Sequence, residues 1–370
     1  MQSKPILNLL NENLKSLPTY KPGRPIEEVA RELGLSFDSI IKLASNENPL
    51  GPPEESIKAM QEAINSVHLY PDGNSFYLKT KLSEHLNIPQ SKIILGNGSN
   101  EIIEFLAHAF VRPGSEVICS QFCFAIYPIL SLMMGGDVVE VKANGLGHDL
   151  KAMAQAVTDK TSAIFVANPN NPTGTMASNS EVAQFIESIP PHIPLILDEA
   201  YVEYLDNPAD NLRYIRNGEK SNVFVMRTFS KIYGLAGLRI GYGIGDGDVI
   251  AALERVRQPF NVNLVAQAAA MAALSDKKYI ERSREINTRG ILQLTEGLKN
   301  MDIHVEPSYC NFVLAKVGDA SGAFKHLQND GVITRPMAGY KLPEWLRISV
   351  GTQEQNQRFL NSIGNFLESI

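Results

Sequence analysis

Seven short runs rich in β-branched and other apolar residues recur between residues 90 and 245, with longer amphipathic stretches between several of them. The runs are KIILG (92–96), EVICS (116–120), DVVEVK (137–142), SAIFVAN (162–168), PLILDE (194–199), NVFVMRT (222–228) and IGYGIG (240–245). Helical patterns such as NEIIEFLAHAF (100–110) and SEVAQFIESI (180–189) lie between them. Strands alternating with helices predict an α/β layer on a mostly parallel central sheet. After about residue 265 the pattern changes. A long charged helical stretch (277–300) leads to the strand-like NFVLAKV (311–317), the helical ASGAFKHLQNDG (320–331) and the strand LRISVG (346–351). This reads as a smaller α+β domain, formed by residues 1–45 together with 265–370, beside a large domain over 46–264. The prolines of NENPLGPP (46–53) favour an extended crossing between the two.

Composition narrows the function. A net charge of -6 gives no basic footprint for nucleic acid. No apolar run approaches the roughly 18 residues that cross a bilayer, and the first residues lack the apolar core and cleavage site of a signal peptide. Cys119, Cys123 and Cys310 fit no zinc spacing, and the seven histidines contain no HExxH pair. The expectation is a cytoplasmic protein without a metal site.

In an open parallel sheet, ligands sit beyond the carboxyl ends of the strands, so the residues following each strand carry the information. After KIIL comes GNGSNE (96–101), where glycines lead into a helix start. Its free N–H groups, with Ser99 and Asn100, can cradle a phosphate. The same features also serve an ordinary capped turn. After SAIFVA comes NPNNPTG (168–174), in which prolines stiffen a polar loop around the Asn171 amide. After PLIL comes DEAY (198–201), placing a carboxylate at a buried strand end, where it must be paired or hydrogen-bonded. After NVFVMR comes TFSKIYGLAGLR (228–239). Thr228, Ser230 and Arg239 can donate to a phosphate, and Lys231 lies among apolar residues beside them. A desolvated lysine near other cations becomes a nucleophile for carbonyls. A lysine, a carboxylate, a phosphate cradle and an aromatic face are together what pyridoxal phosphate requires.

NPNNPTG, DEAYVEY and SKIYGLAGLRIGY, in that order and spacing, resemble the fold-type I pyridoxal-phosphate aminotransferases. LPTYKPGRP (17–25), KLASNENPLGPP (42–53), YPDG (70–73), GNGSNE and LPEWLRISVGT (342–352) extend the resemblance toward the histidinol-phosphate aminotransferases over nearly the whole chain. The resemblance implies that Lys231 joins the cofactor aldehyde and then serves as general acid and base. It implies that Asp198 pairs with the ring nitrogen, and that Tyr201 and Asn171 donate to the phenolic oxygen of the ring. Gly98, Ser99, Asn100, Thr228, Ser230 and Arg239 would hold the phosphate. Phe124 stands where the family usually has a stacking tyrosine; its face can stack, but the phenol hydrogen bond is lost. Tyr127, close by, reads as a core aromatic.

On the substrate side the resemblance implies that Arg347 clamps the carboxylate of an amino acid. Arg335, with Tyr20, would meet the phosphate of histidinol phosphate. Asn46 would line the entrance, and Tyr70 would reach into the neighbouring subunit's site in a homodimer with shared active sites. The implied reaction moves an amino group between L-histidinol phosphate and 2-oxoglutarate, glutamate being the other amino acid. The same machinery would also suit phenylalanine, tyrosine or arogenate, and a decarboxylating relative would act on threonine phosphate. A pyridoxal-phosphate-binding sensor is disfavoured because no helix-turn-helix segment is apparent at either end.

Overall fold

The computed structural model of the chain describes residues 5–19 and 23–369. A two-residue strand, β1 (Ile41–Lys42), precedes seven longer ones: β2 (Ile93–Gly96), β3 (Glu116–Ser120), β4 (Asp137–Val141), β5 (Thr161–Ala167), β6 (Leu195–Asp198), β7 (Val223–Thr228) and β8 (Gly241–Ile244). Each of the seven begins and ends within one residue of its apolar run. They form one sheet in the order β2-β8-β7-β6-β5-β3-β4. Only β8 runs against the rest, antiparallel to both β2 and β7. Both faces of the sheet are covered, which is why its strands read as near-continuous apolar runs. Along β5 the side chains alternate between two cores. Ile164 and Val166 join Leu82, Val182 and Leu195 on one face, while Ala163 and Phe165 join Ile102, Phe105 and Ile196 on the other.

Five further strands complete the chain: β9 (His304–Glu306), β10 (Phe312–Lys316), β11 (Val332–Ile333), β12 (Arg335–Pro336) and β13 (Trp345–Ser349). Four of them make an antiparallel sheet, β12-β13-β10-β9, and β1 pairs in parallel with β11. Leu43 therefore shares a core with Val313, Ile348 and Phe359, and Val29, Ile40 and Ala44 cluster with Ile333.

We keep the proposal of two units but set the second crossing later than residue 264. In the helix Leu264–Ser275, Ala266, Ala269, Ala270 and Ala273 are buried in the core of the large sheet. The helix Lys277–Lys299 makes the transition. Tyr279 donates near its start to the Gly51 carbonyl, whereas Leu294 and Leu298 lie in the smaller core. At the N-terminus, Asn13 donates to the Leu132 carbonyl of the large unit (3.2 Å).

Candidate active site

The carboxyl ends of β2, β5, β6 and β7 open onto a cavity of about 190 Å³, and β13 of the smaller unit closes it from the other side. The cavity is built from chemically distinct ends.

One end is a set of donors suited to an anion. The helix Ser99–Phe110 starts directly after β2 with Gly98 as its N-cap, so no side chain covers its first N–H groups. Gly98 has φ +75, and a Cβ there would lie 2.6 Å from Arg239 Nη2. Only glycine lets that guanidinium lie across the helix start. The Thr228 hydroxyl accepts from the Ser230 N–H (3.1 Å), and Arg239 Nη1 reaches Ser230 Oγ (3.4 Å). Ser99, Asn100, Thr228, Ser230 and Arg239 all line the cavity.

The floor carries a carboxylate. Asp198, only 6% exposed, accepts from Tyr127 Oη at 2.6 Å through Oδ2 and from the Ala200 N–H at 3.0 Å through Oδ1. Burial pushes its carboxyl above the ordinary range, and those two hydrogen bonds pull it back. Tyr127 is thus more than a core aromatic, correcting the reading from sequence. Its ring stacks on Phe165 (4.9 Å between centroids), Phe124 meets it edge-on (5.7 Å), and its hydroxyl anchors the carboxylate. The next residue, Glu199, points to the opposite face and forms a buried ion pair with Arg227 (2.7 Å). Successive residues leaving a strand separate in this way.

Lys231 stands between floor and mouth. Its Nζ donates to the Ser45 carbonyl (3.3 Å) and lies 5.8 Å from the centroid of the Tyr201 ring. Desolvation, then the Arg347 guanidinium, lower its pKa to about 8, with Arg239 adding to the effect and Glu47 and Asp198 opposing it. At pH 7 the neutral amine rises from roughly one molecule in three thousand to about one in ten.

The remaining wall joins the two units. Tyr201 packs edge-on against Phe312 (5.7 Å), and its oxygen accepts from Asn46 Nδ2 (2.9 Å). Asn46, expected to line the substrate entrance, is 1% exposed and lines the cavity. Arg347 on β13 is 7% exposed, donates to Asn171 Oδ1 and to the Ala44 carbonyl (2.7 Å), and sits 5.2 Å from the Phe312 ring. With its oxygen held by Arg347, the Asn171 amide has its N–H₂ left to donate. Arg335, Gly23 and Tyr340, each half-buried, also line the cavity.

Tyr20 lies outside the described residues, and one expected residue is not gathered there. Tyr70 is 83% exposed and stacks on Phe260 (4.7 Å) away from the cavity. Among the described residues no cluster of three or more His, Cys, Asp or Glu could hold a metal, and no helix is long and apolar enough to cross a membrane.

The donor set fits pyridoxal phosphate. It offers an anion cradle, a buried carboxylate for a cationic ring nitrogen, an amine for an aldehyde, an aromatic face at Phe124 and donors at Tyr201 and Asn171.

Residues 38–363 match the family model described as aminotransferase class I and II. The chain is 48% identical over 361 residues to histidinol-phosphate aminotransferase 1 of Thiobacillus denitrificans, covering 96% of this chain and 92% of the relative. It is 44% identical over 368 residues to histidinol-phosphate aminotransferase 2 of Nitrosospira multiformis, covering 98% and 93%. Among solved structures, histidinol-phosphate aminotransferase from Sinorhizobium meliloti in complex with pyridoxal-5'-phosphate superposes with a TM-score of 0.89 at 27% identity, covering 97% of this chain and 98% of that one.

Proposed function

The chain belongs to the class I and II aminotransferases, and within them to the histidinol-phosphate aminotransferases, and from that premise we propose the role of each residue in its site. It is a pyridoxal-phosphate-dependent transaminase of histidine biosynthesis acting on L-histidinol phosphate. We assign 2-oxoglutarate and glutamate as the second substrate pair, in a ping-pong exchange. The observation that carries this reading is one cavity holding Lys231 and Asp198 together with Arg347 and Arg335, besides the Arg239 of the anion cradle.

The residues divide the work. Ser99, Asn100, Thr228, Ser230 and Arg239 would hold the phosphate at the start of the helix, with Gly98 leaving room for them. Asp198 would face the ring nitrogen, Tyr201 and Asn171 the ring oxygen, and Phe124 the ring face. When bound, pyridoxal phosphate supplies an electron sink for the substrate carbon that bears the amino group. Lys231 Nζ, whose pKa in the empty cavity is lowered to about 8, would accept the proton from that carbon and hold it within the cavity. Arg347 fixes the substrate anion, so that the carbon stays within reach of Nζ.

Arg347 is buried and Arg335 half-buried, and that difference implies different duties. Histidinol phosphate carries a phosphate ester where an amino acid carries its carboxylate, and that group is larger and reaches further out. Arg347 should serve every substrate, and Arg335 the outer phosphate oxygens or the second carboxylate of glutamate. Removing one partner of a desolvated charged pair costs roughly 2–5 kcal/mol, and each 1.4 kcal/mol is about tenfold. Arg335→Met should therefore lower kcat/KM for histidinol phosphate at least about thirtyfold while sparing phenylalanine. Arg347→Met should damage all donors. A wild-type enzyme that prefers phenylalanine, with histidinol phosphate indifferent to Arg335→Met, would replace this reading with an aromatic aminotransferase.

We further propose a cytoplasmic homodimer with shared sites. Supporting it, the exposed Tyr70 stacks on the exposed Phe260, and Ile64, Val67, Leu69 and Phe76, close to Tyr70 in the sequence, are exposed as well. So many large apolar side chains left in water favour a covering partner. Mixing Tyr70→Phe with Lys231→Ala protomers can put both lesions into one site and leave the other intact. The mixture should then exceed the summed activity of the two parents. A fully active monomer in sedimentation would refute the shared site.

A further inference from the structure

Ser349 has no role in the reading above, yet it controls a hydrogen-bonded chain that ends in the cavity. Asn46 has φ +58, a backbone conformation that asparagine tolerates better than most residues, and it is almost fully buried. Its N–H donates to Ser349 Oγ (2.8 Å), and its carbonyl accepts from Asn311 Nδ2 (2.9 Å). Ser349 Oγ in turn donates to Asn46 Oδ1 (3.0 Å), and Asn46 Nδ2 donates to the Tyr201 oxygen (2.9 Å).

The proton inventory makes this order consequential. Ser349 has one hydroxyl proton, and it lies on the amide oxygen of Asn46. That selects which end of the amide faces Tyr201, namely the N–H₂ end. A phenol oxygen that accepts from an amide has its own proton left for another acceptor, and Tyr201 lines the cavity. Were the amide reversed, its oxygen would take the Tyr201 proton and turn it away from the cavity. Ser349 also stands two residues from Arg347 on β13, on the same face of the strand. One strand of the smaller unit thus carries both the clamp for the substrate anion and the residue that orders this chain.

We propose that Ser349 and Asn46 are a positioning pair that keeps the Tyr201 hydroxyl proton directed into the cavity, where it strengthens the hydrogen bond to the ring oxygen of bound pyridoxal phosphate. This rests on the cofactor reading of the site. Cys310, Arg347 and Asp198 act electrostatically on the Tyr201 phenol, and Arg347, Glu47, Arg239 and Asp198 on Lys231. None of these is altered in the test.

The readout is the pH midpoint of the visible absorbance of the loaded enzyme, measured without substrate. Removing a donor from the ring oxygen leaves that oxygen a better partner for the protonated nitrogen beside it, so the midpoint rises. Tyr201→Phe should raise it, and Ser349→Ala should raise it in the same direction by about 0.5–1 pH unit. Ser349→Thr, which keeps the hydroxyl, should restore the wild-type value. Adding Ser349→Ala to Tyr201→Phe should produce no further shift, because the first residue acts only through the second. Asn46→Asp gives an independent arm if Ser349→Ala does not fold. Its shift should shrink strongly in the Tyr201→Phe background, whereas a through-space charge effect would persist in both. A Ser349→Ala midpoint equal to wild type, or shifts that add in the double variant, would overturn the proposal. Wild-type protein with no visible band after loading with pyridoxal phosphate would instead overturn the cofactor reading, and this inference with it.

Discussion

Lys231→Ala is expected to lower kcat at least about ten-thousandfold, the upper range for losing a positioned acid-base group, and further because the nucleophile goes with it. Cofactor should still bind, since the anion cradle, Asp198 and the stacking face remain. Small amines added to the solution should restore part of the rate by supplying the missing base. In the wild-type enzyme, borohydride should fix the cofactor covalently to a peptide containing Lys231. The pH dependence has a definite sign. A lysine whose pKa is lowered to about 8 is neutral above that pH, so uptake of cofactor by the empty protein should rise with pH and level off there. An unperturbed lysine would still be climbing at higher pH. Full turnover in Lys231→Ala without added amines would remove the residue from its role.

Asp198→Asn should separate binding from chemistry. An amide fills the same space, and its one oxygen can still accept from the Ala200 N–H while its N–H₂ donates to the Tyr127 oxygen, so cofactor affinity should fall only modestly. It cannot balance a cationic ring nitrogen, and kcat should drop by about a hundredfold to a thousandfold, the scale for losing one preorganised electrostatic contact. Parallel measurement of the cofactor dissociation constant and kcat decides the matter. Near-normal kcat would show that Asp198 is a structural carboxylate held by Tyr127.

The two variants test residues that stood out in the sequence because they follow strands. The strand runs were legible for a physical reason: a sheet covered on both faces demands apolar side chains at nearly every position. Since such a sheet binds beyond its carboxyl ends, Asp198, Thr228, Ser230, Lys231 and Ser99 could be placed near one another before any coordinates. Tyr127 could not. It lies in the apolar helix Ile126–Met133, and its partner Asp198 is 71 residues away. Its one signal was a helical spacing of three from Phe124, which core aromatics share equally. Asn46 was legible as part of a motif but not in its orientation, which depends on Ser349 some 303 residues later. Strand order was equally hidden, because β8 is as apolar as its neighbours and nothing in its composition announces that it runs the other way. The later crossing that we propose between the units was hidden for a related reason: Leu264–Ser275 is made mostly of alanine and other apolar residues, and such a helix suits either core.

The reversed strand has a consequence for how the chain becomes competent. Strand β2 has a single partner in the sheet, β8, and its last residue, Gly96, is paired with Gly241. Gly241 is paired in turn with Thr228. The proposed phosphate cradle is therefore made of two halves distant in the sequence, Gly98–Asn100 and Thr228–Arg239, brought together by that one junction. A Cβ at Gly241 would fall 2.5 Å from the Ser99 nitrogen, so the halves meet with no space to spare. Pairings between distant segments close late during folding, because the loop entropy must be overcome first. A nascent chain with its other strands already assembled would still have no place for the anion. Once β8 seats, the anion and the junction stabilise each other, as any ligand stabilises the only state it binds.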